Sequence, residues 1–135
     1  MNVSLEYKGD KIFKAKTSKS SYILDIKDIT PVEYFITSTI ACTGIDLVLL
    51  SEKDGYTITD YKVSAQTTRT TMPSKFESCH ITYMVNANFE AEKVHEYVLS
   101  SLHKYSTTIN TIRQTVEIRY SIVHNGIKVV NNQKL

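Results

Sequence analysis

The chain has 135 residues, 41% of them hydrophobic and 22% charged, which suits one domain with a core of its own and lies well outside the disordered range. Sixteen Lys plus Arg against fourteen Asp plus Glu leave a net charge of +2, and the basic residues never form a run. That excludes the electrostatic footprint of a nucleic-acid binder. The longest uninterrupted apolar run near the middle, residues 47–50, is four residues long against the ~20 of a membrane-spanning helix. The polar, alternating start at Met1-Asn2-Val3-Ser4 does not read as a signal peptide. The expectation is a soluble cytoplasmic protein folding as a single domain over residues 1–135, with no membrane and no nucleic acid among its partners.

The chain opens with strand signals. Val3, Leu5 and Tyr7 alternate with polar residues, Gly9-Asp10 punctuates, residues 11–17 alternate again, and residues 22–26 form a third short strand after a turn. This predicts an antiparallel meander. Thr30-Pro31-Val32-Glu33 then carries a helix start: a Thr cap, Pro at the first helical position and Glu at the third. Thr and Glu can satisfy each other's backbone N–H groups, while Pro gives up a donor that the first turn cannot use. The helix is expected to run from residue 31 to about 51. Its apolar residues, among them Tyr34, Phe35, Ile36, Ile40, Ile45, Leu47 and Leu50, point in nearly every direction. A helix apolar all round is buried all round, and in so short a chain that requires a partner subunit. The middle of the helix is built of small residues, Thr37 to Thr39 and Ala41 to Gly44, which let a neighbouring backbone approach.

Glu52-Lys53-Asp54-Gly55 ends the helix. Residues 56–69 read as a long strand, 70–75 as a turn containing Pro73, and 76–87 as the next strand, with Cys79, Ile81, Tyr83 and Val85 on one face. Residues 90–105 place Val94, Tyr97, Val98, Leu102 and Tyr105 at helical spacing, amphipathic enough to lie on a sheet. A short helix over 106–113 and a strand through Val116, Ile118, Tyr120 and Ile122 complete the pattern. The order βββ-α-ββ-α-β predicts an α+β fold, an antiparallel sheet packed on a long central helix.

The four histidines, His80, His95, His103 and His124, stand at no metal-ligand spacing, and neither a Gly-rich phosphate loop nor a Gly-x-Ser-x-Gly elbow is present. No metal or cofactor is expected. Two cysteines in such a chain are not a disulfide scaffold. Cys79 falls on the apolar face of its strand and reads as a core residue. Cys42 sits among small hydroxylated residues deep in the long helix. It lies three turns from the helix N-terminus, too far for direct help from the dipole. Asp46, at i+4, disfavours a thiolate where it is close and ionised. Activation of Cys42 is therefore expected to need a basic partner from elsewhere in the fold.

The stretch Thr30-Pro31-Val32-Glu33-Tyr34-Phe35 through Thr39-Ile40-Ala41-Cys42-Thr43-Gly44-Ile45-Asp46-Leu47-Val48 resembles the central helix of the OsmC/Ohr family, in which a Pro opens the helix and a reactive Cys follows eleven residues later, as Cys42 follows Pro31. Downstream, Arg69 to Pro73 and Phe76 look like the family's Arg and Pro-x-x-Phe stretch. Leu102-His103-Lys104-Tyr105-Ser106 looks like the end of its second helix, often Glu-Lys-Tyr-Cys. The resemblance implies an intertwined homodimer with two long helices at its centre and sites at the subunit interface. It also implies reduction of organic hydroperoxides by the Cys42 thiolate, with a second Cys closing a disulfide that an external thiol reduces.

Three departures stand out. Ser106 occupies the place of the second Cys and cannot form the disulfide. Val32 follows the helix-opening Pro where the peroxidases have an acid, and Glu33 comes one position later. The family's Arg from the N-terminal strands is missing; Lys11 is its nearest stand-in and cannot make a bidentate clamp, which leaves Arg69 as the other candidate cation. Three readings follow. The first is a one-cysteine organic hydroperoxide reductase, with Cys42 as nucleophile, Lys11 or Arg69 lowering its pKa, Ser106 donating to the peroxide, and an external thiol or Cys79 resolving the sulfenic acid. The second is a non-enzymatic binder of a small hydrophobic ligand on the same fold. The third is a redox sensor whose Cys42 oxidises reversibly.

Overall fold

The computed structural model describes residues 1–135 as two units, Met1–Thr37 and Ser38–Leu135. In the first, β1 (Ser4–Gly9), β2 (Ile12–Lys16) and β3 (Ser21–Asp25) form the expected meander, a three-stranded antiparallel sheet in the order β1-β2-β3. Tyr7 pairs with Phe13, and Phe13 with Leu24. Asp10 and Lys11 turn the first hairpin at φ of 52° and 60°, the left-handed conformation that two-residue hairpin loops need to follow the strand twist. Ala15 is fully buried, while Val3, Leu5, Tyr7 and Ile23 stay more than half exposed.

Helix α1 (Pro31–Lys53) starts with the anticipated capping box: Glu33 N–H donates to Thr30 Oγ1 at 3.1 Å and Thr30 N–H to Glu33 Oε2 at 3.0 Å. Such a cap stabilises a helix by about 1 kcal/mol. The helix does not bury its whole circumference. Its buried residues are Thr39, Thr43, Gly44, Leu47 and Ser51, a mostly polar row at i, i+4 spacing on one face. Phe35, Ile45 and Leu49 remain 42%, 51% and 56% exposed. The all-round burial expected from the sequence is therefore not reached within one chain, where the small residues do the packing and much of the large apolar surface faces outward. The apolar runs are short, yet taken over its 23 residues α1 is long and apolar enough to cross a membrane by length and composition, a test that the core helix of a soluble protein also passes.

In the second unit, β4 (Asp60–Thr71), β5 (Ser74–Asn86), β6 (Glu117–His124) and β7 (Ile127–Lys134) form a sheet in the order β4-β5-β6-β7. Between β5 and β6 run α2 (Ala91–Ser100), a π-helical turn (Ser101–Tyr105) and α3 (Thr107–Ile112). This helical crossover makes the β5–β6 pair parallel, as crossover connections require, while the other pairs are antiparallel. The α+β class stands, with two sheets in place of one. β7 had no counterpart in the sequence reading: its residues are mostly polar and exposed, so it lacks the alternation of a half-buried strand. Its hairpin signal is Asn125-Gly126, at φ of 50° and 80°, a primed-turn dipeptide.

One face of this sheet carries the core. Cys79, Ile81, Tyr83 and Val85 of β5 and Ile118, Tyr120 and Ile122 of β6 gather with Leu47, Val94, Tyr97, Val98, Leu102 and Ile109. Gly44 lets α1 lie close over β4: a Cβ there would meet Val63 Cγ2 at 3.3 Å, and Tyr61 OH donates to the Gly44 carbonyl at 3.1 Å.

Candidate functional site

Cys42 is half-buried on α1, one residue before the buried Thr43. What faces its sulfur is set by the change of helical geometry at the end of α2. There the helix widens into the π turn, and Ser106 N–H closes on the Ser101 carbonyl at 2.9 Å. The widened turn delivers Ser106 as the cap of α3, and π turns recur where a fold must redirect a functional side chain. Ser106 Oγ donates to Cys42 Sγ at 3.4 Å and accepts the Ile109 N–H at 3.4 Å. Because the oxygen takes a backbone proton, the hydroxyl proton is free to point at sulfur. Thr108 stands beside it, 3.3 Å from Ser106 Oγ and donating to the Thr39 carbonyl at 3.4 Å.

The balance of influences on the Cys42 thiol is instructive. Burial is the largest and opposes the thiolate, but the hydroxyl of Ser106 and then the backbone N–H and hydroxyl of Thr108 outweigh it. Asp46 opposes them, and the net effect holds the thiol below its ordinary range. Neutral donors supply what the sequence reading sought from a cation. The thiolate is the nucleophilic form of a cysteine, so donors that favour it favour reaction at sulfur.

Among the residues singled out in the sequence, the fold brings Cys42 and Ser106 into contact. Arg69 stands on β4 opposite Phe76, just after a bulge, exposed to solvent. It is six residues along the strand from Val63, the residue against Gly44, or roughly 20 Å at the rise of an extended strand. Lys11 belongs to the Met1–Thr37 unit, where its backbone N–H bonds Tyr7 OH at 3.3 Å. Cys79 is a free thiol, fully buried in the core, and burial pushes it up to about 11. The histidines are occupied: His80 with Ser121, His95 with Tyr120, His103 with Arg113 Nη1, and His124 with the Phe89 carbonyl. Sequence reasoning missed Thr108, Ser101 and Tyr83. Ser101 Oγ donates to Asp46 Oδ2 at 2.7 Å and lies 2.7 Å from Thr43 Oγ1, which lies 2.7 Å from Tyr83 OH. Nothing in the spacing of these residues signals the network, because the π turn that aligns them has no sequence signature.

Comparisons place this fold among known proteins. Solved structures match over nearly the whole chain. A hypothetical protein from Aquifex aeolicus is 22% identical, with a TM-score of 0.79 over 92% of this chain and 96% of its own. An OsmC-like protein from Mycoplasma pneumoniae is 13% identical, with a TM-score of 0.76 over 91% and 95%. The organic hydroperoxide resistance protein OhrB of Bacillus subtilis is 15% identical, with a TM-score of 0.56 over 90% and 96%. At such identities the likeness shows the fold. No curated protein matches the sequence. The family model of OsmC-like proteins matches residues 25–121, a stretch that holds α1, Cys42 and Ser106. The chain belongs to the family of OsmC-like proteins.

Proposed function

We propose that this protein is a thiol redox protein of oxidative stress defence, a one-cysteine organic hydroperoxide reductase working through Cys42. The observation that carries the reading is the 3.4 Å hydrogen bond from Ser106 Oγ to Cys42 Sγ, on a thiol that Thr108 also supports. In the first step the thiolate attacks one peroxide oxygen and the O–O bond breaks. The alcohol leaves after taking up a proton, the sulfur is oxidised by two electrons to a sulfenic acid, and the hydroperoxide is reduced to the alcohol. Ser106 and Thr108 hold donors where negative charge builds on the departing oxygen.

Ser106 cannot resolve the sulfenic acid and Cys79 is sealed in the core, so an external thiol must do so. One thiol condenses with the sulfenic acid, releasing water and forming a mixed disulfide. A second attacks that disulfide, returning Cys42 to the thiol and leaving the reductant as its own disulfide. The working form in this proposal is a soluble cytoplasmic homodimer, in which a second copy covers Ile45 and Leu49, both more than half exposed in the single chain.

The test is the pH dependence of Cys42 alkylation with Cys79→Ser as background, followed by hydroperoxide turnover with a supplied thiol. A pKa below the ~8.5 of free cysteine with turnover supports the reductase. Reversible oxidation without turnover would leave a sensor. A thiol unreactive to pH 9 would sink the redox reading in favour of a small hydrophobic ligand.

A further inference from the structure

We propose that Asp46 is a positioning residue of the Cys42 site, holding the π turn at the distance from α1 that aims Ser106 at the sulfur. The inference rests on the reading of Cys42 as the nucleophile and goes beyond it by assigning a role to a carboxylate one helical turn away.

Ser101 has one hydroxyl proton and gives it to Asp46 Oδ2 at 2.7 Å. The 2.7 Å contact between Ser101 and Thr43 must then be a donation by Thr43, and the 2.7 Å contact between Thr43 and Tyr83 a donation by Tyr83. The carboxylate thus fixes the direction of every bond in a buried chain from β5 through α1 to the π turn. Thr43, Ser101 and Tyr83 are all fully buried, so no solvent competes for these protons and the chain is specific in geometry.

Asp46 is four residues after Cys42 on α1. It holds Ser101 by the side chain; the Ser101 carbonyl holds the Ser106 N–H at 2.9 Å; and Ser106 Oγ returns to Cys42 at 3.4 Å. Cys42, Asp46, Ser101 and Ser106 form a closed loop in which each link is a helical turn or a hydrogen bond. Without Asp46, the link between α1 and the first residue of the π turn is left to Thr43, whose Oγ1 lies 2.7 Å and whose carbonyl oxygen lies 3.4 Å from Ser101 Oγ. Asp46 therefore acts in two opposed ways: as an anchor it supports the thiolate through Ser106, and as a negative charge it opposes it.

Three variants separate the two effects, read as the pKa and plateau rate of Cys42 alkylation in a Cys79→Ser background, with circular dichroism to verify folding. Asp46→Asn keeps an acceptor for Ser101 and removes the charge, so the thiol pKa is expected to fall and alkylation at pH 7 to quicken by up to about threefold, half a unit of pKa. Ser101→Ala keeps the charge and cuts the link, so alkylation at pH 7 is expected to slow by about tenfold. Asp46→Ala removes both and is expected to fall between them. A purely structural Asp46 would move stability in all three without driving the pKa in opposite directions. If Ser101→Ala does not fold, Asp46→Ala against Asp46→Asn decides, because both remove the charge and only the alanine cuts the link to Ser101; equal alkylation rates in the two overturn the proposal. A wild-type thiol titrating at the free value would sink the nucleophile reading and this inference with it. A lowered wild-type pKa that Asp46→Asn and Ser101→Ala leave in place, or shift the same way, would overturn the inference alone.

Discussion

The two cysteines of this chain have the same chemistry and opposite environments. Cys79 is fully buried against β-sheet and helix side chains, and burial pushes its thiol up to about 11. Cys42 is also partly buried, and burial is again the largest influence on it, yet donation from Ser106 and Thr108 holds it below its ordinary range. The difference teaches that donors decide reactivity where burial alone would suppress it. A thiolate needs compensation for lost water, and at Cys42 it comes from neutral groups on a turn contributed by a distant part of the chain.

The sharpest way to break that comparison is differential labelling. In the folded protein at pH 8, Cys42 is expected to react with iodoacetamide at least about a hundredfold faster than Cys79, measured by mass spectrometry of the two peptides. Comparable rates would show that the core around Cys79 opens as readily as the site. Stability should divide the pair the other way. Cys79→Ala is expected to cost about 2 kcal/mol by leaving a cavity, against under about 1 kcal/mol for Cys42→Ala, in urea unfolding at pH 7.

The Cys79 effect has a pH signature. Its thiol titrates near 8.5 in the unfolded chain and at about 11 in the fold. The stabilisation tied to the neutral thiol is therefore complete below pH ~8.5 and is lost as pH rises toward 11. The advantage of wild type over Cys79→Ala should shrink over that window, and a constant gap would place Cys79 in a wetter environment. Ser106→Ala is expected to raise the Cys42 pKa by roughly one unit and slow alkylation at pH 7 about tenfold. An unmoved pKa would leave Thr108 as the sole support. The smallest effect belongs to the far end of α1. Thr30→Ala should lower stability by about 1 kcal/mol and leave the Cys42 pKa where it was, because a helix dipole acts within its first turn. A shift in that pKa would mean that the helix terminus reaches the site after all.

How much was legible beforehand follows the range of the interactions involved. The meander of β1–β3, the capping box at Thr30 and Glu33, and the hairpin of β4 and β5 are local patterns written in consecutive residues. β7 was missed because its strand signal lay in the turn dipeptide Asn125-Gly126 and not in an apolar face. For α1 only the need for cover was legible, because apolar character around a helix says how much surface needs cover and not which neighbour provides it. Within the chain, the cover falls on Thr39, Thr43, Leu47 and Ser51.

The sequence by itself determined every strand but β7, the α+β class, the long helix carrying Cys42 and, through resemblance, the family. These rest on periodicity, capping and turn chemistry, which act over a few residues. Ser106 was already placed at the site by resemblance; only the tertiary structure decided how it and its neighbours hold the sulfur. Ser106 and Thr108 are more than sixty residues from Cys42 in the chain, and Ser101 meets Asp46 at a separation of 55. These hydroxyls become donors to the site because a π turn, which has no sequence signature, sets their direction, and a hydrogen bond a few degrees or an ångström astray would not form.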